Sequence, residues 1–251
     1  MVCSLGNNQG FLHFTLTTLQ YRLHNNNQFT QKKILKDKMI ILFNLQLQMK
    51  NIIDKEQYSA LILAAGKSKR MKFPKAFLKW NDKLIFLEHL CSVYSNSGCK
   101  QIIIVLNQEG YKYFSKNKYS LPEKCKIVIN TKVELGRFYS LRLGIMNLSK
   151  KQPAFIQNID NPFVTINLLN KLKNNCPQEG YSVAGFNSKR GHPIFLSRAI
   201  IEKIVSETNN DINLRRFLSG FPVKLINSDD ERILLNINTI KEYLEYFGKK
   251  Y

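Results

Sequence analysis

The stretch ALILAAGKSKRMKFPKAFLKW, residues 60–80, joins a small-residue turn to closely spaced basic residues. The apolar run before Gly66 is typical of a buried strand, and the small residues let backbone N–H groups approach a bound anion. Arg70 and Lys75 add two positive charges. The planar guanidinium of Arg70 can donate two parallel hydrogen bonds to a phosphate, whereas the ammonium of Lys75 is a compact charge. GxxxxGK[ST] and GxGxxG are both absent. From spacing alone, a phosphate-binding turn and an ordinary strand–loop junction with surface lysines are equally good interpretations.

The elements that must position this turn follow an alternating pattern. Short segments rich in Ile and Val indicate buried strands at 58–65, 101–107, 125–130, 154–159 and 181–186. Helical patterns lie between them at 84–98, 137–148 and 165–175. The alternation predicts an α/β fold with a mostly parallel central sheet and flanking helices. Because such sheets bind ligands at the carboxyl ends of their strands, the residues after each strand are the candidate site residues.

Composition narrows the class of partner. The 251 residues include 38 Lys+Arg and 18 Asp+Glu, a net charge of +20, which favours an anionic partner. The lysines are scattered rather than striped and no nucleic-acid motif is present, so we expect no nucleic-acid partner. Five widely spaced cysteines without a CxxC predict a reduced, cytoplasmic protein. No apolar run reaches the roughly 18 residues of a membrane span, so we expect no membrane partner.

Residues 1–48 differ from the rest of the chain. They contain twelve Asn or Gln residues and one acidic residue, Asp37. We interpret them as a poorly ordered extension or as the product of a mis-assigned start, with Met39 or Met49 as the true start. Residues 49–251 then form a single domain.

The glycine turn resembles the signature of the MobA-like nucleotidyltransferases, AAGxSxRMGxxK. That family has a Rossmann-like GT-A-type fold and transfers a nucleoside monophosphate from an NTP to a phosphorylated acceptor. The resemblance therefore implies this fold and a nucleotidyltransferase domain at 49–251. The chain departs from the signature at Lys72, where the family usually has glycine. The change could alter the path of the loop or add a phosphate contact.

The resemblance also implies which residues hold the nucleotide. ELGRFYSLRLGI (134–145) resembles the GxxxSLxxG segment that helps to bind it, although an ordinary amphipathic helix has the same pattern. The implied nucleotide-binding residues are Leu63, Ala64, Ala65, Gly66, Ser68, Lys75, Gly136 and Ser140. The implied catalytic residues are Arg70, Lys75 and Asp160.

Two later segments bear on a metal. NIDNPFV (158–164) resembles the family's DxP element, which implies that Asp160 binds Mg²⁺; a turn capped by its carboxylate is the alternative. LNINTIKEYLEY (235–246) resembles a terminal element that usually has aspartates where this chain has Asn236 and Asn238. Asn238 keeps an oxygen for Mg²⁺ but lacks the charge, which implies weaker binding.

The acceptor site is implied by two other segments. GFNSKRGHPIFLS (185–197) contains a Gly-His-Pro sequence that recurs in the cytidylyltransferase-like branch, so His192 is a candidate acceptor contact. NDINLRRFL (210–218) places Arg215 where it could pair with an acceptor phosphate. A structural histidine and a solvated helix face are the alternatives.

The predicted function is Mg²⁺-dependent transfer of a nucleoside monophosphate, with CTP slightly favoured as the NTP, and release of pyrophosphate. The acceptor is a phosphorylated small molecule such as molybdopterin, or a polyol or sugar phosphate. One alternative is a GT-A-like glycosyltransferase. Such enzymes usually have a DxD motif, and the sequence NID at 158–160 has only one of its two aspartates. The other is a catalytically decayed nucleotide-binding protein of the same fold. The oligomeric state is not predicted.

Overall fold

The computed structural model describes residue 34 and residues 36–44, 57–210 and 212–248. The chain divides into two compact units, Met1–Glu56 and Gln57–Tyr251. In the first unit, residues 36–44 are helical, and the rest of the predicted extension lies outside the described residues. The second unit contains every candidate site residue.

Seven strands form one sheet within the described residues. They are β1 (Ser59–Ala64), β2 (Gln101–Asn107), β3 (Cys125–Asn130), β4 (Ala154–Asn158), β5 (Tyr181–Phe186), β6 (Lys189–Leu196) and β7 (Val223–Asn227). Their order across the sheet is β3-β2-β1-β4-β6-β5-β7. β6 runs antiparallel to β4 and β5, and the other neighbours are parallel. The predicted α/β fold with a mostly parallel sheet is confirmed.

Helices cover both faces of the sheet. They are α1 (Phe86–Asn96), α2 (Gln108–Lys116), α3 (Gly136–Met146), α4 (Ile166–Asn174), α5 (Arg198–Ser206), α6 (Leu214–Leu218) and α7 (Ile240–Phe247). Short 3₁₀ helices lie at Lys75–Phe77, Val133–Leu135 and Glu231–Leu234. Within the described part of the chain, no helix is long and apolar enough to cross a membrane.

Burial on both faces explains why the central strands are largely apolar. In β1, Ala60 and Ile62 pack into the core beneath α1, α4 and α7, whereas Leu61 and Leu63 pack into the core beneath α3 and α5. Successive side chains of a strand point to opposite faces, so a sheet covered on both sides needs apolar residues at every position.

The sheet brings the ends of three strands together. β1 lies between β2 and β4 in parallel register, with Leu63 opposite Asn158. The glycine turn follows β1, and the loop that carries Asp160 follows β4. At the end of β2, the Asn107 side-chain amide donates to the carbonyl oxygens of Ala65 at 3.2 Å and Gly66 at 3.4 Å. These contacts fix the turn to the neighbouring strand.

An aromatic cluster supports the loop after β4. The imidazole of His89 in α1 stacks on Trp80 with ring centroids 3.9 Å apart. Its Nε2 lies 3.2 Å from the carbonyl oxygen of Pro162. Burial lowers the pKa of His89 to about 4, although the hydrogen bond to Pro162 acts in the opposite direction. His89 is therefore neutral at pH 7, and its Nε2–H donates to the loop.

Acidification should destabilise the fold through His89. The pKa is about 6.5 in the unfolded chain and about 4 in the folded one, so the unfolded chain takes up the proton first. The stabilising contribution is complete above about pH 6.5 and is lost as the pH falls towards 4. Allowing for partial exposure, we expect a loss on the order of 2 kcal/mol from this group.

Urea unfolding of the wild type and His89→Gln, near pH 7.5 and near pH 4.5, measures this effect. The glutamine variant should lose less free energy of unfolding across the interval, because it cannot bind a proton. Equal losses in the two proteins would contradict the assignment.

Candidate active site

A cleft of about 210 Å³ lies at the carboxyl ends of β1 and β4. It is lined by Leu63, Ala64, Ala65, Gly66, Ser68, Lys75, Val133, Gly136, Arg137, Ser140, Asn158, Ile159 and Asp160. All eight residues that the resemblance assigns to the nucleotide therefore lie in one cleft, together with Asp160. Sequence reasoning missed Val133, Asn158 and Ile159, because none of them belongs to a quoted signature position.

The glycine turn leaves its backbone open to the cleft. A Cβ built on Gly66 would meet no atom within 4 Å, so no protein group fills the space beside it. Ser68 has a left-handed φ of 46°, and its hydroxyl lies 3.4 Å from the backbone nitrogen of Lys75. This hydrogen bond joins the turn to the backbone of Lys75.

The N-terminus of α3 forms the opposite wall. Gly136 begins the helix with a φ of 82°, a conformation that suits glycine. The hydroxyl of Ser140 accepts from the Asn130 side-chain amide at 2.9 Å and donates to the Gly136 carbonyl at 3.2 Å. Ser140 therefore helps to hold the wall in place. The first N–H groups of an α-helix lack intrahelical partners and favour an anion.

Lys75 joins the two sides of the site. Its ammonium nitrogen lies 3.3 Å from Asp160 Oδ2 and 2.6 Å from Asn238 Oδ1. The side chains of Lys75 and Asp160 are 14% and 15% exposed. Asp160 Oδ1 is buried and has no hydrogen-bond partner among the described residues. The sequence suggested roles for all three residues but not that Lys75 contacts the other two.

The C-terminal segment is tied to the Asp160 loop by its backbone. The N–H of Ile237 donates to the Asp160 carbonyl at 2.7 Å. The buried side chain of Asn161 donates to the carbonyl oxygens of Ile233 and Leu235. Asn161 is thus a positioning residue that sequence reasoning missed, because its partners lie more than 70 positions away.

Arg70 does not line the cleft. Its side chain is exposed, and its charge reaches Glu242 at the start of α7. Burial acts to raise the pKa of Glu242, but N–H groups of Asn238 and Thr239, together with Arg70, lower it overall. The predicted catalytic role of Arg70 stays a prediction.

An open groove adjoins the cleft and shares Gly136 and Arg137 with it. His192 and Arg215, the two acceptor candidates, both line this groove. Lys189 and Arg190 also line it, so the groove has four positively charged side chains, Arg137, Lys189, Arg190 and Arg215. The structure therefore brings the predicted acceptor residues together beside the nucleotide cleft.

His192 is held as a neutral base. The side-chain amide of Asn158 lies 2.7 Å from His192 Nε2, and Nδ1 is buried without a partner among the described residues. Burial and the charge of Arg137 lower the pKa of His192 to about 4, against an opposing effect of Asp160. Asn158 donates to Nε2, which places the ring proton on Nδ1.

One known protein family matches most of the chain. The profile of the MobA-like NTP transferase domain matches residues 60–227, which is more than half of the chain. The chain belongs to the MobA-like NTP transferase family. The resemblance inferred from the glycine turn is thereby confirmed.

Among curated proteins, the chain is similar to the 2-C-methyl-D-erythritol 4-phosphate cytidylyltransferase of Fusobacterium nucleatum. The two are 30% identical over 115 residues, which are 44% of this chain and 48% of the relative. The chain spans about half the length of the cytidylyltransferases it matches.

Among solved structures, the chain is similar to the Rv0371c protein of Mycobacterium tuberculosis, with a TM-score of 0.64 and 21% identity. The match covers 77% of this chain and all of that one. A complex of the same protein with manganese gives a TM-score of 0.62 at 19% identity, with 77% of this chain and 100% of that chain covered. At these identities the likeness establishes the fold alone.

The glycine of the Gly-His-Pro sequence has a packing role that can be tested. A Cβ on Gly191 would lie 2.4 Å from the backbone oxygen of Ile233, which cannot move aside easily. We expect Gly191→Ala to lower the free energy of unfolding by about 2 kcal/mol. Gly220→Ala is the matched control, because a Cβ there meets no atom within 4 Å. Thermal unfolding measures both, and equal melting temperatures would refute the close contact.

Proposed function

We propose that this protein is a nucleotidyltransferase that moves a nucleoside monophosphate from an NTP to a phosphorylated small molecule and releases pyrophosphate. The observation that carries the proposal is the cleft itself. It is lined by all eight residues assigned to the nucleotide, Lys75 among them, and by Asp160. Family membership over residues 60–227 supports the same reaction class.

The transfer needs no strong base. An oxygen of the acceptor phosphate attacks the α-phosphorus, and a new phosphoanhydride bond forms. The bond from the α-phosphorus to the oxygen that bridges to the β-phosphorus breaks, and pyrophosphate leaves with that electron pair. Because the attacking oxygen is already anionic, no proton has to be removed. The protein's task is to position the groups and neutralise their charge.

Lys75 is the residue best placed to neutralise the reacting phosphate. Asp160 and Asn238 hold its ammonium group, which reduces its freedom before a ligand binds. Its side chain is largely shielded from water, so its attraction to a phosphate is screened less than that of a surface lysine.

The site also suits a divalent cation, and we propose Mg²⁺. Asp160 Oδ1 is a buried carboxylate oxygen without a partner among the described residues. The ammonium group of Lys75 contacts both the other oxygen of Asp160 and Asn238 Oδ1, so the two side chains lie near each other. Oxygen donors of this kind are the ligands that Mg²⁺ prefers. Bound there with the NTP, the ion would offset charge on the phosphate oxygens. No cluster of three acidic, His or Cys side chains occurs within the described residues, so nucleotide and water must complete the coordination.

The groove beside the cleft supports a phosphorylated acceptor. Arg137, Lys189, Arg190 and Arg215 give it a positive charge that would attract a phosphate group. By their names, the cytidylyltransferase relatives act on a polyol phosphate, which favours CTP as the donor and this acceptor class. Molybdopterin is the acceptor to compare in the same assay.

The free thiols of the described cysteines support the proposed cytoplasmic location.

The decisive experiment is a transfer assay with CTP, GTP, ATP and UTP against polyol phosphates, sugar phosphates and molybdopterin, with pyrophosphate release as the readout. Lys75→Ala should lower kcat/KM by about 100-fold, because the reacting phosphate loses a fixed positive charge. Lys150→Ala is the control, since Lys150 is exposed and lies outside the cleft.

Equal activities of Lys75→Ala and Lys150→Ala would remove Lys75 from the reaction. Binding of an NTP without any transfer would favour the catalytically decayed nucleotide-binding protein. Hydrolysis or transfer of a nucleotide sugar without pyrophosphate release would favour the glycosyltransferase.

Asn238 should limit the affinity for the free metal ion. Asn238→Asp adds a second carboxylate beside Asp160, and we expect it to tighten Mn²⁺ binding in the absence of nucleotide by about tenfold. Asn236→Asp adds the same charge at an exposed neighbour and serves as the control. Water-proton relaxation during a Mn²⁺ titration measures both, and an equal response of the two variants would exclude Asn238 from the metal site.

A further inference from the structure

A pair of neighbouring thiols lies at the end of the sheet opposite the nucleotide cleft. Cys125 begins β3, and Cys91 lies in α1. Both pack into the core on the α1 side of the sheet, and their thiol groups share a hydrogen bond. β3 runs parallel to β1 and β2, so Cys125 lies at the amino ends of the strands, whereas the cleft lies at the carboxyl ends. The pair is therefore separate from the residues assigned to nucleotidyl transfer.

Three successive turns of α1 face the segment that leads into β3. Glu88 Oε1 accepts from the backbone N–H of Ser120 at 2.9 Å. The carbonyl oxygen of Ser95 accepts from the ammonium group of Lys124 at 3.4 Å. Cys91 is three positions after the first of these helix residues and four before the second, so all three lie along one face of α1. The thiol of Cys91 therefore meets the start of β3 between two contacts that fix the helix against this segment.

The two thiols differ in exposure and in acidity. Cys91 is fully buried, whereas Cys125 is half-buried in a strand at the edge of the sheet. The hydrogen bond from Cys91 and the nearby charge of Lys124 lower the pKa of Cys125, against an opposing effect of burial. The same hydrogen bond, together with burial, raises the pKa of Cys91. Cys125 is thus the accessible thiol that ionises first, and Cys91 is a protonated thiol held beside it.

We propose that Cys91 and Cys125 form a dithiol site that reacts with hydroperoxides. Cys125 is the thiol that the peroxide oxidises, and Cys91 converts the oxidised form into a disulfide that joins α1 to β3. The site is independent of the proposed nucleotidyl transfer, because it shares no residue with the cleft or the groove.

The reaction with hydrogen peroxide has two steps. The Cys125 thiolate attacks one peroxide oxygen, the O–O bond breaks and hydroxide leaves, so that Cys125 becomes a sulfenic acid. The hydroxide takes the proton of the Cys91 thiol and becomes water. The Cys91 sulfur then attacks the Cys125 sulfur and the S–O bond breaks. The hydroxide that leaves takes up the proton that Cys125 lost on ionisation, so two thiols and one peroxide give one disulfide and two water molecules.

Cys176 is the matched control for the reactivity of Cys125. It is also half-buried, but its thiol donates to backbone carbonyl oxygens, and burial raises its pKa to about 11. At pH 7.5 we expect iodoacetamide to alkylate Cys125 at least about tenfold faster than Cys176. The larger thiolate fraction of Cys125 outweighs the lower nucleophilicity of a more acidic thiol. Mass spectrometry of quenched samples measures both rates, and equal rates would contradict the assignment of Cys125 as the reactive thiol.

The disulfide is mapped in the folded, full-length protein after treatment with a small excess of hydrogen peroxide. We expect a cross-link between the tryptic peptides 84–100 and 125–126 that dithiothreitol removes. The first peptide also contains Cys99, which is fully buried, so variants identify the partner. Cys91→Ala should abolish the cross-link and leave a sulfenic acid on Cys125 that dimedone traps. Cys99→Ala should form the cross-link as the wild type does.

Each of the other outcomes would overturn the proposal. A cross-link that survives in Cys91→Ala but is lost in Cys99→Ala would assign the second thiol to Cys99. A wild-type protein with neither the cross-link nor a dimedone adduct on Cys125 would remove the site altogether. Melting curves of the reduced variants show whether each is folded, and Cys91→Ser, which leaves a smaller cavity, replaces the alanine variant if that one is not. The experiment uses no nucleotide, so its failure leaves the proposed nucleotidyl transfer untouched.

Discussion

The ammonium group of Lys75 connects the three chain segments on which the site depends. Lys75 follows β1, Asp160 follows β4 and Asn238 precedes α7, at separations of 85 and 163 residues from Lys75. The group is largely shielded from water, so removal of one partner would leave a poorly solvated charge. The site is therefore complete only when the C-terminal segment has docked on the sheet.

The sequence predicted the parts of the fold that local patterns encode. The five predicted strands agree with the structure to within one residue at each end. Burial on both faces makes the central strands β1 and β2 largely apolar, whereas β3 lies at the sheet edge and is recognised by its Ile and Val residues. β6 was not among them, since it begins with the polar sequence KRGH and lies with that end partly exposed. α2 has a polar sequence, and its clearest signal is the cap of Asn107, whose side chain accepts from the N–H of Gly110.

The candidate site was predictable for a similar reason. In a parallel sheet the residues that follow neighbouring strands meet at one edge, so the signature positions after β1 and β4 fall into one cleft. What the sequence could not supply is the set of long-range contacts that orient them. Three asparagines make such contacts with residues that are distant in the sequence: Asn107 binds the glycine turn, Asn158 binds His192, and Asn161 binds the C-terminal segment. Arg70 is the opposite case, a signature residue that the sequence placed in the site. It does not line the cleft, and its charge acts on Glu242 at the start of α7.

Lys72 and Asn238, two of the departures from the family pattern, change the charge of the site in the same direction. Asparagine at 238 removes a negative charge beside Lys75, and lysine at 72 adds a positive charge beyond the glycine turn. If the site acts as proposed, Asn238 would make it hold a free divalent cation less well and Lys72 would make it hold a triphosphate better, because the first needs negative ligands and the second needs positive ones. A metal bound to the triphosphate brings its own anionic oxygens, so it enters without a second protein carboxylate. The substitutions that weaken a metal site are therefore compatible with a site that recruits metal and nucleotide as one complex.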